Sequence, residues 1–453
     1  MKRRDFMKVG GLGVATLASG TGYKGFSEET ADKNLRVGLI GTGWYGKVDL
    51  LRLIQVAPVD VVSLCDVDQE TLDEAGEIVA SRQVSKKVPR KYTDYRKMLA
   101  EKDLDIVVIG TPDHWHALQM IEAVESGADV YVQKPIGVDV VECQAMLSAA
   151  RKNKAVVQVG LQRRSTPHLM TAKKEIVDSG KLGKVGQVDI YSYYGGPGTW
   201  VQQPETPPAG FDFDMWTGPA PKLPYYPMMR RRSWRNFWEF GNGTLGDMGV
   251  HMFDMTRWFL NLRYPKRIYS TGGIYLKKGG TPNIADTQTV VFDYGDLEVV
   301  WNHRSWAELT DQRHPWGAYF YGEHGLLKAS IYGYDFKRYR SNETISGDVD
   351  YEYGRFPEEE HERDLERPCA PAIRSHMKDL LDRIADRGRP RSDIEEGAIS
   401  TICCVLGNIS MKLGRSLEWD EEAGKVKNDD EANAMLAREY RAPWVHPQVG
   451  VRR

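Results

Sequence analysis

Cysteine is scarce in this 453-residue chain, and no two cysteines have the C-x-x-C spacing of a metal site. The five cysteines are Cys65, Cys143, Cys369, Cys403 and Cys404. Their odd number and spacing indicate neither a zinc site nor a disulfide framework, and we expect all five to be buried packing residues. His114 and His116 have no third and fourth ligand at suitable spacing, so we predict no metal.

Net charge is also nearly absent. With 61 Lys and Arg against 63 Asp and Glu, the formal charge is −2, so the chain lacks the basic surface that nucleic-acid binding requires. The weakly apolar run over residues 9–18 is too short to span a bilayer as a helix. Because single cores stop growing near about 250 to 300 residues, the length predicts two domains.

Residues 1–30 resemble a twin-arginine export signal. Arg3 and Arg4 stand in K-R-R-D-F-M-K, residues 2–8, and a short glycine-rich apolar segment follows. No clear A-x-A cleavage site occurs near residues 17–22, so both cleavage and retention as an anchor stay open. We expect a periplasmic or otherwise exported protein that touches a membrane only through an uncleaved leader. The alternative is the disordered basic start of a cytosolic protein.

The most informative segment, residues 35–66, has the order strand, glycine turn, helix and acidic strand end. An apolar run leads into G-T-G-W-Y-G at residues 41–46, and a second apolar run over 59–64 ends at Asp66. Gly41 permits a tight turn, Gly43 lets the backbone approach a pyrophosphate, and Gly46 lets helix and strand pack closely. Asp66 accepts hydrogen bonds from ribose hydroxyls and repels a 2′-phosphate. The segment therefore predicts NAD, with NADP less favoured, although the glycines alone also fit an ordinary loop.

Strands and helices keep alternating to residue 159. Helices are predicted at 68–82, 115–126 and 139–152, with a further turn of helix from about residue 93, and strands at 105–109, 130–132 and 156–159. Repeated crossovers of this kind predict a parallel sheet with helices on both faces, and therefore a Rossmann domain over 35–159. Ligands of such sheets lie at the carboxyl ends of the strands, which Thr111, His116, Gln133 and Lys134 follow.

The pattern changes after residue 160, and residues 160–444 are predicted to form an α+β domain. Extended segments at 187–193 and 267–275 and hairpins at 287–301 and 319–329 predict a large, open, mixed or antiparallel sheet. Helices are predicted at 373–387, 394–413 and 429–439. The fold class is therefore α/β, with an N-terminal Rossmann domain and a C-terminal α+β domain.

Most of the 12 tryptophans follow the Rossmann domain. An aromatic face covers the C–H groups of a sugar ring, so we interpret Trp216 and Trp234 as sugar-binding residues, with core packing as the alternative for each. The neighbouring basic run, residues 230–232, is interpreted as a solvated loop, and a phosphate or uronate contact is the alternative.

The segment G-N-G-T-L-G-D-M-G-V-H, residues 241–251, begins a helix that extends to about residue 260. Asp247 and His251 are four residues apart and therefore share one face of this helix. A carboxylate beside an imidazole raises its basicity and orients it, which suits a general acid or base. The alternative is a capped helix with a solvated Asp–His pair.

In this order, the glycine turn with Asp66, the T-P-x-x-x-H stretch of 111–116, the Lys134–Pro135 pair and the segment ending in His251 resemble the Gfo/Idh/MocA oxidoreductases. The resemblance runs from about residue 35 to residue 444. It implies a nicotinamide ring between the two domains and a homo-oligomer, dimer or tetramer, assembled through the C-terminal sheet.

The resemblance also implies catalytic roles. Lys134 polarises the reacting oxygen, His251 takes the hydroxyl proton, and Asp247 holds both substrate and imidazole. Two positions depart from the family pattern, because Gln133 replaces the glutamate before the lysine and Asn242 replaces the middle glycine. Loss of the glutamate removes a carboxylate that would keep Lys134 charged.

The residues predicted to hold the dinucleotide are Gly41, Thr42, Gly43, Trp44, Tyr45, Gly46, Asp66, Thr111, Pro112, His116, Gln133, Lys134 and Gln162. The residues predicted to contact the substrate are Arg164, Trp216, Trp234, Asp247 and His251. For the segment that contains Gln162 and Arg164, a hinge between the domains is the alternative.

An exported enzyme that uses NAD needs its own supply of the cofactor, because no soluble NAD pool exists outside the cytoplasm. Twin-arginine export moves folded proteins, so we predict a tightly bound NAD that is reduced and reoxidised in place. The predicted reaction oxidises a carbinol of a sugar, polyol or glycoside, and transhydrogenation between two sugars is one form of it. Redox-neutral glycoside cleavage through transient oxidation and elimination is an alternative. A non-catalytic sugar or dinucleotide sensor is another, and Gln133 would then mark the loss of catalysis.

Overall fold

A computed structural model describes residues 34–193, 199–307 and 311–449. The predicted export signal lies outside the described residues. The first sheet has six strands, all parallel, in the order β3-β2-β1-β4-β5-β6, which is the doubly wound order of dinucleotide-binding domains. Its strands are β1 (Arg36–Ile40), β2 (Asp60–Cys65), β3 (Arg90–Tyr92), β4 (Ile106–Ile109), β5 (Asp129–Val132) and β6 (Val157–Val159).

Helices connect these strands and cover both faces of the sheet. They are α1 (Trp44–Val56), α2 (Gln69–Arg82), α3 (Tyr95–Ala100), α4 (His116–Glu125) and α5 (Val140–Asn153). Asp94 and Asp139 cap α3 and α5 by accepting hydrogen bonds from first-turn amides, as N-cap aspartates commonly do. The predicted Rossmann fold is confirmed, including the short helix expected from about residue 93, and the short edge strand β3 is an addition to the elements predicted.

The second sheet has ten strands in the order β14-β13-β12-β11-β7-β10-β9-β8-β15-β16. Only β7 and β10 pair in parallel, and every other neighbouring pair in this sheet is antiparallel. The strands are β7 (Val185–Ser192), β8 (Arg267–Gly273), β9 (Thr287–Asp293), β10 (Glu298–Arg304), β11 (Trp316–Gly322), β12 (Gly325–Ser330), β13 (Gly333–Arg338), β14 (Thr344–Asp348), β15 (Leu417–Asp420) and β16 (Lys425–Val426). The predicted large mixed sheet and both hairpins are confirmed.

The remaining helices join the two sheets. They are α6 (Pro167–Ala172), α7 (Phe213–Thr217), α8 (Val250–Leu260), α9 (Ala370–Asp386), α10 (Ile394–Leu413) and α11 (Asp430–Ala434). Helix α9 packs against α1, and α10 packs against both β8 and α5, so helices from late in the chain share cores with the Rossmann domain. The last helix is shorter than predicted.

All five cysteines are buried and free, as predicted. No helix in the described part of the chain is long and apolar enough to cross a membrane.

The position of Arg164 corrects its predicted role in substrate binding. Its guanidinium is buried and pairs with Asp254 (Nε–Oδ2 2.8 Å) and Glu396 (Nη2–Oε2 2.8 Å). Asp254 is itself 0% exposed, so this cation satisfies a carboxylate inside the fold. Because its polar atoms are committed to these bonds, Arg164 links the segment after β6 to α8 and α10.

The substitution Arg164→Met should lower the free energy of unfolding by about 3 kcal/mol, because it removes the principal partner of a buried carboxylate. Urea unfolding measures this change. The control is Arg267→Ala, which breaks an exposed pair with Asp293 and should cost less than about 1 kcal/mol. A stable Arg164→Met protein with a raised substrate KM would instead return Arg164 to the substrate site.

Candidate active site

The glycine turn between β1 and α1 leaves room for a ligand at one position. A Cβ added to Gly41, which has φ +86°, would lie 2.7 Å from the Thr111 amide nitrogen, and one added to Gly46 would lie 1.9 Å from the Gly41 carbonyl oxygen. A Cβ on Gly43 would meet nothing within 4 Å. Gly41 and Gly46 are therefore required by the fold, whereas Gly43 keeps the surface of the turn free.

The residues around this turn fit a dinucleotide. Helix α1 begins without a side-chain cap and without an acidic residue in its first turn, so its amides are open to an anion. Asp66 follows β2 and accepts hydrogen bonds from the Thr42 amide (2.7 Å), the Thr42 hydroxyl (3.1 Å) and the Asp68 amide (3.0 Å). Burial raises the pKa of Asp66, and the hydrogen bonds oppose this shift.

A cavity of about 980 Å³ runs from the glycine turn to the carboxyl end of β4 and to the segment that carries Trp234 and Arg235. The predicted residues that line it are Gly41, Gly43, Trp44, Tyr45, Asp66, Thr111, Pro112, Trp216 and Trp234. Two other predicted cofactor residues form hydrogen bonds to residues of this lining. His116 bonds to the carbonyl oxygens of Thr111 (2.9 Å) and Pro135 (2.7 Å), and Gln162 donates to the Tyr45 hydroxyl (3.1 Å).

Lys134 and Asp247 meet although they are 113 residues apart. Lys134 Nζ lies 2.6 Å from Asp247 Oδ1 and 3.0 Å from the Asp247 carbonyl oxygen. Lys134 follows β5, and Asp247 lies in a π-helical turn, Leu245–Gly249, that leads into α8. Although burial favours the neutral acid, Lys134 and Arg235 lower the pKa of Asp247 to about 2, so the carboxylate is ionised.

His251 differs from the sequence-based expectation. Its ring packs edge-on against Trp316, with centroids 5.4 Å apart, and its Nδ1 is buried without a hydrogen-bond partner among the described residues. No hydrogen bond to Asp247 is found there either, because the π-helical turn changes the four-residue spacing that would align the two side chains on one face. Burial, Lys134 and Arg163 hold the pKa of His251 well below its ordinary value.

Arg235 is a member of the site that the sequence did not single out. Its Nε lies 3.2 Å from Asp247 Oδ1, and its guanidinium lies 4.1 Å from the ring centroid of Trp234. Trp234 is buried, and the guanidinium of Arg235 stacks over its ring. Trp216 is buried in a cluster with Phe213 and Phe240. Both tryptophans thus pack other side chains at the cavity wall.

Gln133 stands where the family pattern has a glutamate, and a buried carboxylate lies next to it. Gln133 Nε2 donates to Asp49 Oδ2 (2.7 Å), and its Oε1 accepts from the Lys134 amide (3.3 Å). Asp49 belongs to α1 and is 0% exposed. Burial raises the pKa of Asp49 to about 7, while hydrogen bonds from Gln133 and Tyr131 favour its ionised form. A carboxylate on the neighbouring helix α1 thus lies against the position that holds a glutamate in the family pattern.

A second cluster of ligand-type side chains lies at the start of α5. Asp139 accepts from the Glu142 amide (2.8 Å) and bonds to His446 Nε2 (2.8 Å), and Glu142 accepts from the Val138 amide (2.6 Å) and from Tyr440 (2.5 Å). These bonds occupy the carboxylate oxygens, so the cluster attaches the C-terminal segment to α5.

Comparison with known families agrees with this geometry. Residues 35–161 match the model described as an oxidoreductase family, NAD-binding Rossmann fold, and residues 169–268 and 343–446 match its C-terminal alpha/beta domain. Because these matches cover most of the chain, the protein belongs to the Gfo/Idh/MocA oxidoreductase family.

Individual relatives are distant. The chain is similar to a glycosyl hydrolase family 109 protein of Shewanella pealeana, 30% identical over 34% of this chain and 37% of that protein. It is 32% identical to an inositol 2-dehydrogenase of Salmonella typhimurium over 33% of this chain and 43% of that protein. The aligned segments therefore span less than half of either curated relative. The WlbA dehydrogenase of Bordetella pertussis, solved with NADH and UDP-GlcNAcA, shares the fold with a TM-score of 0.63 at 18% identity over 86% of this chain and 99% of that one.

Two glycine variants separate packing from ligand approach. Gly46→Ala should lower the free energy of unfolding by about 1–3 kcal/mol, because its Cβ overlaps the Gly41 carbonyl. Gly43→Ala should change it by less than about 0.5 kcal/mol yet weaken NADH binding, because the new methyl group lies where the ligand approaches. Urea unfolding and NADH fluorescence measure the two effects. Unaltered NADH affinity in Gly43→Ala would contradict this arrangement.

A carboxylate exchange tests the Asp49–Gln133 contact. Gln133→Glu places two buried carboxylates together, which raises their folded pKa values above the unfolded ones, so stability should be lost as pH rises from about 5 to about 8. The double variant Asp49→Asn/Gln133→Glu has one carboxylate again and should lose this extra pH dependence. Unfolding free energies at both pH values measure the effect. Equal pH dependence in the single and double variants would show that the two side chains do not interact.

Proposed function

We propose that this protein oxidises a carbinol of a sugar, polyol or glycoside with an NAD that stays bound through turnover. The observation that carries the proposal is the pairing of Lys134 with Asp247 near His251, next to Arg235, which contacts Asp247 and lines the cavity that begins at the glycine turn. An amine, an ionised carboxylate and an imidazole are the groups that alcohol oxidation needs beside a hydride acceptor.

When bound, the nicotinamide supplies the hydride acceptor. Lys134, held by Asp247, donates a hydrogen bond to the reacting oxygen and stabilises negative charge on it. The imidazole of His251 is unprotonated at neutral pH, since burial and two nearby cations lower its pKa, and its free Nδ1 offers a site for the hydroxyl proton. Asp247 accepts a hydrogen bond from a neighbouring hydroxyl while it pairs with Lys134.

NAD is favoured over NADP in this proposal. Asp66 presents a carboxylate at the end of β2, where it repels a 2′-phosphate. Arg230 lies nearby, but its charge is neutralised by Asp68 and Glu70, so it offers little attraction for an added phosphate.

We also propose that the protein is exported through its twin-arginine leader with the dinucleotide already bound. Retention makes a soluble NAD pool unnecessary. A homo-oligomer, dimer or tetramer, is proposed through the second sheet, whose strands β9 and β10 alternate buried residues with partly exposed ones and so keep one face open.

Redox-neutral cleavage of a glycoside is the second candidate. The similarity to a family 109 glycosyl hydrolase over about a third of the chain favours it. In that reaction, transient oxidation acidifies a neighbouring C–H and permits elimination of the aglycone. A sensor without catalysis is disfavoured, because Lys134, Asp247 and His251 are all retained.

Two measurements test the proposal. Native mass spectrometry of the purified protein should find one dinucleotide per subunit, and mixing with a panel of sugars should change the absorbance of the bound nicotinamide. Release of an aglycone without net oxidation assigns the glycosidase reaction, whereas a lactone or ketosugar assigns the oxidoreductase. A bound nicotinamide whose redox state no sugar changes would refute both.

Lys134→Ala and His251→Ala should each reduce turnover by at least about 100-fold, because each removes a group that handles the reacting hydroxyl. Both variants should keep the dinucleotide, since neither residue lines the glycine turn. Turnover assays and native mass spectrometry give the two readouts. If both variants lose the dinucleotide, these residues bind the cofactor rather than the substrate.

A further inference from the structure

A long segment from the second domain lies over the nucleotide end of the cavity. We call the described residues 199–240 the cover segment. Phe211 forms an isolated antiparallel bridge with Asp68, the Asp212 amide donates to the Val67 carbonyl (3.0 Å), and the Gln69 amide donates to the Gly210 carbonyl (3.0 Å). Backbone hydrogen bonds therefore attach the cover segment to the chain that follows β2, next to Asp66.

The cover segment carries consecutive arginines that have different surroundings. Arg230 makes two bonds to Asp68 (2.6 and 2.9 Å) and one to Glu70 (2.6 Å), so its charge is neutralised. Arg232 lines the cavity, and its guanidinium carbon lies 3.5 Å from the ring centroid of Trp44. In the part of the chain that the structure describes, no carboxylate lies within ion-pairing distance of Arg232. Its positive charge is therefore available to a ligand.

Trp44 places Arg232 beside the glycine turn. It is the first residue of α1 and directly follows Gly43, the glycine that leaves its surroundings open. Its indole is fixed, because Nε1 donates to the Asp364 carbonyl (2.7 Å) and the ring packs edge-on against Tyr45. Arg232 is thus held by a fixed ring close to the uncapped amides of α1.

The open amides of α1 and the guanidinium of Arg232 indicate which kind of ligand this part of the cavity would bind. Both attract negative charge, and they face it from two different parts of the chain. A sugar carboxylate would sit nearer Lys134, where Arg235 already contacts Asp247 (3.2 Å). The group that lies at a glycine turn is a diphosphate.

We propose that Arg232, stacked on Trp44, binds the diphosphate of the dinucleotide opposite the α1 amides, so that the dinucleotide leaves only when the cover segment detaches. The inference rests on the dinucleotide of the proposed function and is independent of the sugar. Contacts from the cover segment, which belongs to the substrate domain, would then account for retention of the cofactor.

The experiment measures dissociation of NADH from the full-length protein by displacement with excess NAD⁺, followed by nicotinamide fluorescence. Arg232→Ala should release NADH about 10- to 100-fold faster, the change that one charge-assisted hydrogen bond supports. Added salt should accelerate release from the wild type more than from Arg232→Ala. Arg232→Lys, which keeps the charge but not the planar stacking, should fall between them.

Arg267→Ala is the matched control, because Arg267 is an exposed arginine of β8 that does not line the cavity. It should release NADH within about twofold of the wild-type rate, since its charge lies outside the nucleotide site. Equal release rates for Arg232→Ala and the wild type, or equal acceleration in both alanine variants, would overturn the proposal. Without any sugar turnover, a specific effect of Arg232→Ala would still support it, whereas a wild-type protein that binds no dinucleotide would refute the proposed function and this inference together.

Discussion

The ion pair between Lys134 and Asp247 is the contact on which the site depends. It joins the carboxyl end of the Rossmann sheet to the turn that begins α8, so the geometry of the reacting centre requires both domains to be correctly packed. Removing two charges from water is costly, and the pair is retained because each partner has further polar contacts, Lys134 with the Asp247 carbonyl and Asp247 with Arg235. In the proposed reaction, this ionised carboxylate holds the Lys134 amine at the place where an alkoxide would develop.

The surrounding structure follows from the same requirement that buried charge be paired. Asp254 is satisfied by Arg164, and Asp49 by Gln133 and Tyr131. The second case also accounts for the departure at position 133. A glutamate there would lie against Asp49, so a glutamine before Lys134 is the residue that the neighbouring carboxylate allows. The glutamine at position 133 is therefore matched to Asp49 of α1. It gives no support to a loss of catalysis.

Local patterns in the sequence predicted much of the fold. The glycine turn, the parallel Rossmann sheet and the hairpin at 287–301 follow from spacing over a few residues, and so does the position of Thr111, Gln133 and Lys134 after the carboxyl ends of strands. The contacts of Arg235 and Arg232 were out of reach, because they depend on how a long irregular segment returns to the Rossmann domain. The positions of Asp247 and His251 differ from the prediction for another reason. Their spacing predicts a shared face only on a regular helix, and a π-helical turn occurs there. Trp216 and Trp234 are largely buried in packing and also line the cavity, so their contact with a sugar stays a prediction.

In the proposed reaction, a sugar hydroxyl reacts between Lys134 and His251 beside a retained dinucleotide. A crystal structure of the protein with its dinucleotide and a sugar that changes the redox state of the nicotinamide tests this most directly. We predict one hydroxyl oxygen within about 2.6–3.2 Å of both Lys134 Nζ and a ring nitrogen of His251. A sugar bound with no hydroxyl near either side chain, or a glycine turn that holds no diphosphate, would contradict it.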